Sequence, residues 1–173
     1  MKESAKIAVS YVRSIAKDYG IDPDFYKTKD IHIHFPEGAV PKDGPSAGVT
    51  MVTALVSALS DRPVRRDIAM TGEISLRGSV LPIGGLKEKT MAAYSAGVST
   101  VLIPEENEKS LEEIDPIVRE GLSFLPCRKV SEVLRAALLP PPSETRPRKH
   151  AEEAPLSEII PTRSESRPLS LTR

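Results

Sequence analysis

A Pro- and Gly-rich turn that runs straight into an apolar stretch, PKDGPSAGVTMVTALVSAL at residues 41–59, constrains this chain more than any other feature. Glycine and proline interrupt regular structure, and the apolar run behind them predicts a helix over about 46–59, closed by a turn at 61–63. One hydroxyl, that of Ser46, stands at the junction. Two roles suit it. Serine is a preferred helix N-cap, which asks for no chemistry. Alternatively the hydroxyl is a nucleophile: Gly44 and Gly48 clear side chains from both flanks so that another backbone can approach. The unpaired N–H groups of a helix's first turn are then the ingredients of an oxyanion hole.

The chain around this junction alternates between helical and extended patterns. Ala5, Ala8, Val12 and Ile15 recur at helical spacing, and Glu3 and Asp18 among the basic residues argue for a folded first helix over a targeting peptide. Asp22-Pro23-Asp24 makes a turn. IHIHF, 31–35, alternates strictly, with Ile31, Ile33 and Phe35 on one face and His32 and His34 on the other, which predicts a half-buried strand. DIAMTG, EISLRG and SVLPIGG read as short strands divided by glycines, the last two as a hairpin. A helix over 86–96 ends at Gly97, and STVLIP, 99–104, is a buried strand. A charged helix near 108–114, a strand near 122–125 and a helix over about 130–139 complete the series.

From Pro140 onward the composition changes: seven of the sixteen prolines fall in the last 34 residues, among Ser, Thr, Arg and Glu. Such a segment buries too little apolar surface to offset its ordering entropy, so 140–173 is expected to be a disordered tail behind one domain over 1–139. The apolar patches at 156–160 and 169–171 have the make-up of docking peptides, but low-complexity drift is the favoured reading. Lysine plus arginine equals aspartate plus glutamate at 24 each, which removes any net field toward nucleic acid or an anionic membrane. Only seven aromatics are present and neither glycine cluster has phosphate-loop spacing, so nucleotide and nucleic-acid binding have little support. Cys127 is the single cysteine, which excludes an internal disulfide and fits a reducing compartment. No stretch approaches the roughly 20 apolar residues of a membrane span.

If Ser46 is a nucleophile, something must take its proton. GPSAG, 44–48, matches G-x-S-x-G, but the hydrolases of that pattern need a later histidine, and His150 lies in the tail. His32 and His34 precede the serine. Lysine is the remaining base type, and GGLKEKTMAAYSAG, 84–97, offers two. Lys89 continues the stripe Leu86, Ala93, Ala96 at steps of three and four, whereas Lys87 aligns with Met91 and Tyr94. A lysine on a small-residue face is being buried, and burial disfavours an ammonium, which suits a general base. A lysine that snorkels along the helix to solvent is the structural alternative. The residue pattern alone leaves a Ser–Lys dyad open.

Taken together, PKDGPSAG, TGEISLRGSVLPIGGLKEK and AGVSTVLIPEEN resemble the proteolytic domain of Lon proteases, ATP-dependent serine peptidases, over about residues 1–139. The resemblance implies an α+β fold with a mixed sheet and packed helices. It implies Ser46 as nucleophile, Lys89 as base and Thr71 as a residue that positions the lysine amine. Asp43, His32, His34 and Glu37 match positions near the site, and Asp43 serves equally well as a turn residue. Implied further are a six-membered homo-oligomeric ring, unfolded or damaged proteins as substrates, and bacterial cytoplasm or mitochondrial matrix as the setting, with the former favoured. No cofactor is expected in this chain: ATP is used by the family's ATPase domain, and no G-x-x-x-x-G-K-[ST] occurs in this sequence. The family also has strands upstream of the helix with which this sequence opens. A non-catalytic Lon-derived oligomerisation or binding module is therefore the competing function.

Overall fold

A computed structural model of the chain describes residues 2–34 and 44–142. The strand expected at 99–104 is its centre. β4 (Thr100–Pro104) lies between β1 (Ile68–Met70) and β5 (Ser123–Cys127), and both pairings are parallel. Its residues from Val101 onward are buried, as an apolar strand covered on both sheet faces must be. Successive side chains of a strand point to opposite faces, so Leu102 enters one core and Val101 and Ile103 enter another. The first core is built with α1 (Lys2–Ile15), α3 (Gly48–Ser60) and α6 (Val130–Ala137). The second is built with α4 (Leu86–Ser95), through Leu86 and Ala93, and α5 (Pro116–Gly121), through Val118.

α1 buries Ser4, Ala8, Tyr11 and Val12 and packs against α3, whose Val49, Val52 and Val56 are buried in the same core. It tightens into a 3-10 turn over Ala16–Tyr19 and stops at Gly20, φ +67°, a backbone position that glycine takes without strain. The Asp22 side chain then accepts the Asp24 N–H at 2.9 Å. A short helix α2 (Phe25–Thr28), absent from the sequence expectation, follows and buries Phe25.

β2 (Glu73–Ile74) and β3 (Val80–Leu81) form the expected antiparallel hairpin, separate from the parallel sheet. Parallel and antiparallel pairing with packed helices makes the class α+β. No described helix is long and apolar enough to cross a membrane.

Several expectations are corrected. Residues 31–34 do alternate, Ile31 and Ile33 half-buried and His32 and His34 exposed, yet they form no strand among the described residues. Period-two burial is produced by any extended segment lying on an apolar surface, here beside Ala5 and Val9 of α1, and a ladder needs a neighbour as well. The charged segment is a 3-10 helix over Glu105–Glu113, starting three residues earlier than expected, and α5 behind it was not anticipated. β5 runs on to Cys127 through Pro126, which an edge strand tolerates, and among the described residues β5 pairs on one side only, with β4. Phe35, Glu37, Asp43 and the expected disordered tail beyond Pro142, with its apolar patches and His150, lie outside the described residues.

Candidate active site

Ser46 is not the N-cap of α3. The helix begins at Gly48 with Ala47 as its cap, two residues later than the pattern suggests, and no side chain caps it. The cause is tertiary. The Ser46 carbonyl accepts the Gly72 N–H at 2.9 Å and the Thr71 hydroxyl at 3.3 Å, which ties the turn to the segment after β1. The Gly48 N–H closes the turn on the Pro45 carbonyl at 3.1 Å, and the Val49 N–H reaches the Gly72 carbonyl at 3.2 Å. Two N–H groups expected to be unpaired in the first helical turn are therefore used.

The two flanking glycines have different reasons. A Cβ on Gly48 would lie 2.9 Å from Ile74 Cγ1 and 3.0 Å from Ile74 N, so another backbone does approach there. A Cβ on Gly44 would meet nothing within 4 Å, and its φ of +106° is what calls for glycine.

Thr71 follows β1 directly, is buried, and fastens its N–H to the Leu102 carbonyl of β4 at 3.0 Å. Lys89 projects from the first turn of α4 and is half-buried, and its Nζ donates to the Gly84 carbonyl at 2.9 Å. Lys87, Met91 and Tyr94 are exposed, so the distinction drawn from helical spacing describes the real faces of α4. Ala96 is the exception in the Lys89 stripe: α4 ends at Ser95, and Ala96 is exposed.

Ser46, Thr71 and Lys89 line one cavity of about 240 Å³. Ala47 and Thr50 from the start of α3, Ala69 and Met70 of β1, Val101 of β4 and Ala93 of α4 complete its walls. It stands at the carboxyl end of β1, beside the point where the chain leaves the parallel sheet. A serine and a lysine among the lining residues of one small, largely apolar pocket are the residue types that nucleophilic attack with a general base requires. His32 and His34, exposed on the 31–34 segment, are not among the residues lining it. The Gly84 carbonyl and a buried Asn107 behind it were missed in the sequence. The only available signal was an asparagine set among the charges of EENEK.

A family model, the Lon protease (S16) C-terminal proteolytic domain, matches residues 1–140. The chain belongs to this family. Among its relatives, the Lon protease of Brevibacillus choshinensis is 61% identical over 142 residues, covering 82% of this chain and 18% of that protein. Lon protease 1 of Bacillus subtilis strain 168 is 60% identical over 139 residues, 80% of this chain and 18% of its own length. The Lon protease of Chloroflexus aggregans is 58% identical over 152 residues, 87% of this chain and 18% of the relative. This Lon-family chain thus spans under a fifth of the length of the curated relatives it matches. The family match takes in every described residue of the cavity.

Proposed function

We propose that this Lon-family chain is a serine endopeptidase working through a Ser46–Lys89 dyad. The observation that carries the reading is the shared cavity: a serine and a lysine 43 residues apart in sequence line one pocket, together with Thr71, which stands between them in the chain. Ser46 Oγ attacks the carbonyl carbon of a peptide bond, and Lys89, as the neutral amine, takes the hydroxyl proton. The tetrahedral intermediate collapses by breaking the C–N bond while Lys89 returns that proton to the leaving amine. Water, deprotonated by Lys89, then attacks the acyl-serine, and the serine oxygen leaves with the proton. Thr71 holds the serine turn through its bond to the Ser46 carbonyl, and the same hydroxyl has lone pairs with which to receive the lysine amine.

Unfolded or damaged proteins are the proposed substrates and a homo-hexamer the proposed assembly. Any use of ATP belongs to the ATPase domain of the family. The organisms of the relatives favour a bacterial cytoplasm over a mitochondrial matrix.

The test is hydrolysis of an unstructured fluorogenic peptide by the purified chain without ATP, beside Ser46→Ala and Lys89→Ala. Each substitution is expected to lower the rate by about a thousandfold or more, as loss of a nucleophile or its base does in other acyl-transfer sites. A covalent peptidase inhibitor is expected on Ser46 by mass spectrometry. A folded chain with no turnover and no label would instead favour the binding module.

A further inference from the structure

We propose that Asn107 is a positioning residue for Lys89, acting through the backbone of Ile83 and Gly84; the proposal deepens the Ser–Lys reading and rests on it. Asn107 is 7% exposed, and its side-chain amide bonds Ile83 through both its oxygen and its nitrogen. Its Oδ1 accepts the Ile83 N–H at 2.9 Å, and its Nδ2 donates to the Ile83 carbonyl at 2.9 Å. A paired contact of this kind holds Ile83 as a neighbouring strand would, fixing the backbone on both sides of its Cα. The next residue, Gly84, offers the carbonyl that receives Lys89 Nζ.

The clamp adds to the packing of the Ile83 side chain against the second core and to the Lys89 N–H bond on the Gly85 carbonyl at 3.3 Å, and it acts on the residue next to the carbonyl that receives the lysine. Gly84 has no side chain, and a Cβ there would meet nothing within 4 Å, so packing does not restrain it. Gly85 follows at φ +66°, and two adjacent glycines leave the backbone more freedom than any other pair. Asn107 supplies a side-chain restraint on this loop from the 3-10 segment that begins at the end of β4. The same strand, through the Leu102 carbonyl, holds Thr71. One buried strand therefore sets the reference for both sides of the cavity.

The test compares the native chain with Asn107→Asp, nearly isosteric, which keeps an acceptor for the Ile83 N–H and places an oxygen against the Ile83 carbonyl. Asn107→Ser, smaller and neutral, serves if the aspartate variant fails to fold. Two measurements are made. In peptide hydrolysis, kcat is expected to fall by about tenfold while KM stays within about twofold, because the amine is misplaced in the reaction and the peptide-binding surface is untouched. In reductive methylation read by mass spectrometry, the labelling of Lys89 relative to Lys87 on the same helix is expected to rise at least about threefold, because an amine released from its carbonyl is more available. A folded variant with an unchanged Lys89 to Lys87 ratio overturns the proposal, and so does a loss confined to KM. If Lys89→Ala keeps full activity, the dyad reading fails separately, and the labelling ratio still decides whether Asn107 holds the amine.

Discussion

At residue 48 the requirement is absolute in a way that composition never reveals. The atoms a Cβ would strike include Ile74 N, and backbone cannot swing aside as the tip of a long side chain can. The same close approach brings the Gly72 N–H to the Ser46 carbonyl, so the residue that admits the neighbouring segment also fixes the turn carrying the candidate nucleophile. Gly48→Ala is expected to cost about 1 to 3 kcal/mol, the usual range for forcing an extra methyl into a packed place. Because the displaced segment is the one bonded to Ser46, peptide turnover should fall further than stability. Urea unfolding and a peptidase assay on one preparation separate the two effects, and an alanine variant with native turnover would show that the turn does not depend on this contact.

At the scale of elements, the two cores respond differently to change. α5 is a short helix with a complete start: Asp115 accepts the Ile117 N–H at 2.9 Å and Pro116 follows it, supplying a preset φ where no donor is needed. It buries Val118 in the second core and contributes no residue to the cavity. Asp115→Ala is therefore expected to lower unfolding free energy by about 1 kcal/mol with kcat unchanged. A denaturation curve and a turnover number check this, and a large activity loss would mean that α5 and α4 move together. The Asp-Pro signature was visible in the sequence. A charged helix expected to reach residue 114 and a strand expected from residue 122 leave only seven positions between them, too few for the pattern of a further helix to stand out.

For the molecule as a whole, buried acids set an alkaline limit. Burial pushes the Cys127 thiol up to about 11, with a smaller push in the same direction from Glu132, and burial likewise raises the hydroxyls of Tyr11 and Tyr19. An acid whose folded value lies above its unfolded value keeps its proton longer when folded. The unfolded chain then binds fewer protons in the interval, and stability falls as pH rises. For Cys127 that interval runs from the ordinary value of 9.0 to about 11. Two units correspond to roughly 3 kcal/mol at most. The urea midpoint is expected to hold up to about pH 8.5 and to drop by pH 10.5, and the drop should be smaller in Cys127→Ala. Equal drops in both proteins would mean that the thiol titrates as it does in water.

What this sequence determined by itself is what repeats along the chain. Period and punctuation placed α1, α4, β4 and the β2–β3 hairpin, ended α4 near Gly97, and told Lys89 from Lys87, because the face a side chain occupies follows from local geometry. What only the tertiary structure decided is which distant groups meet. The alternation at 31–34 fixed its burial but could not supply a neighbouring strand. The apolar run after Ser46 suggested a helix from that residue, until Gly72 and Thr71, more than twenty positions away, claimed its carbonyl. Asn107 and Ile83, 24 positions apart, give no periodic signal at all. Periodicity is a property of one segment, whereas a hydrogen bond between segments exists only after packing has chosen their neighbours.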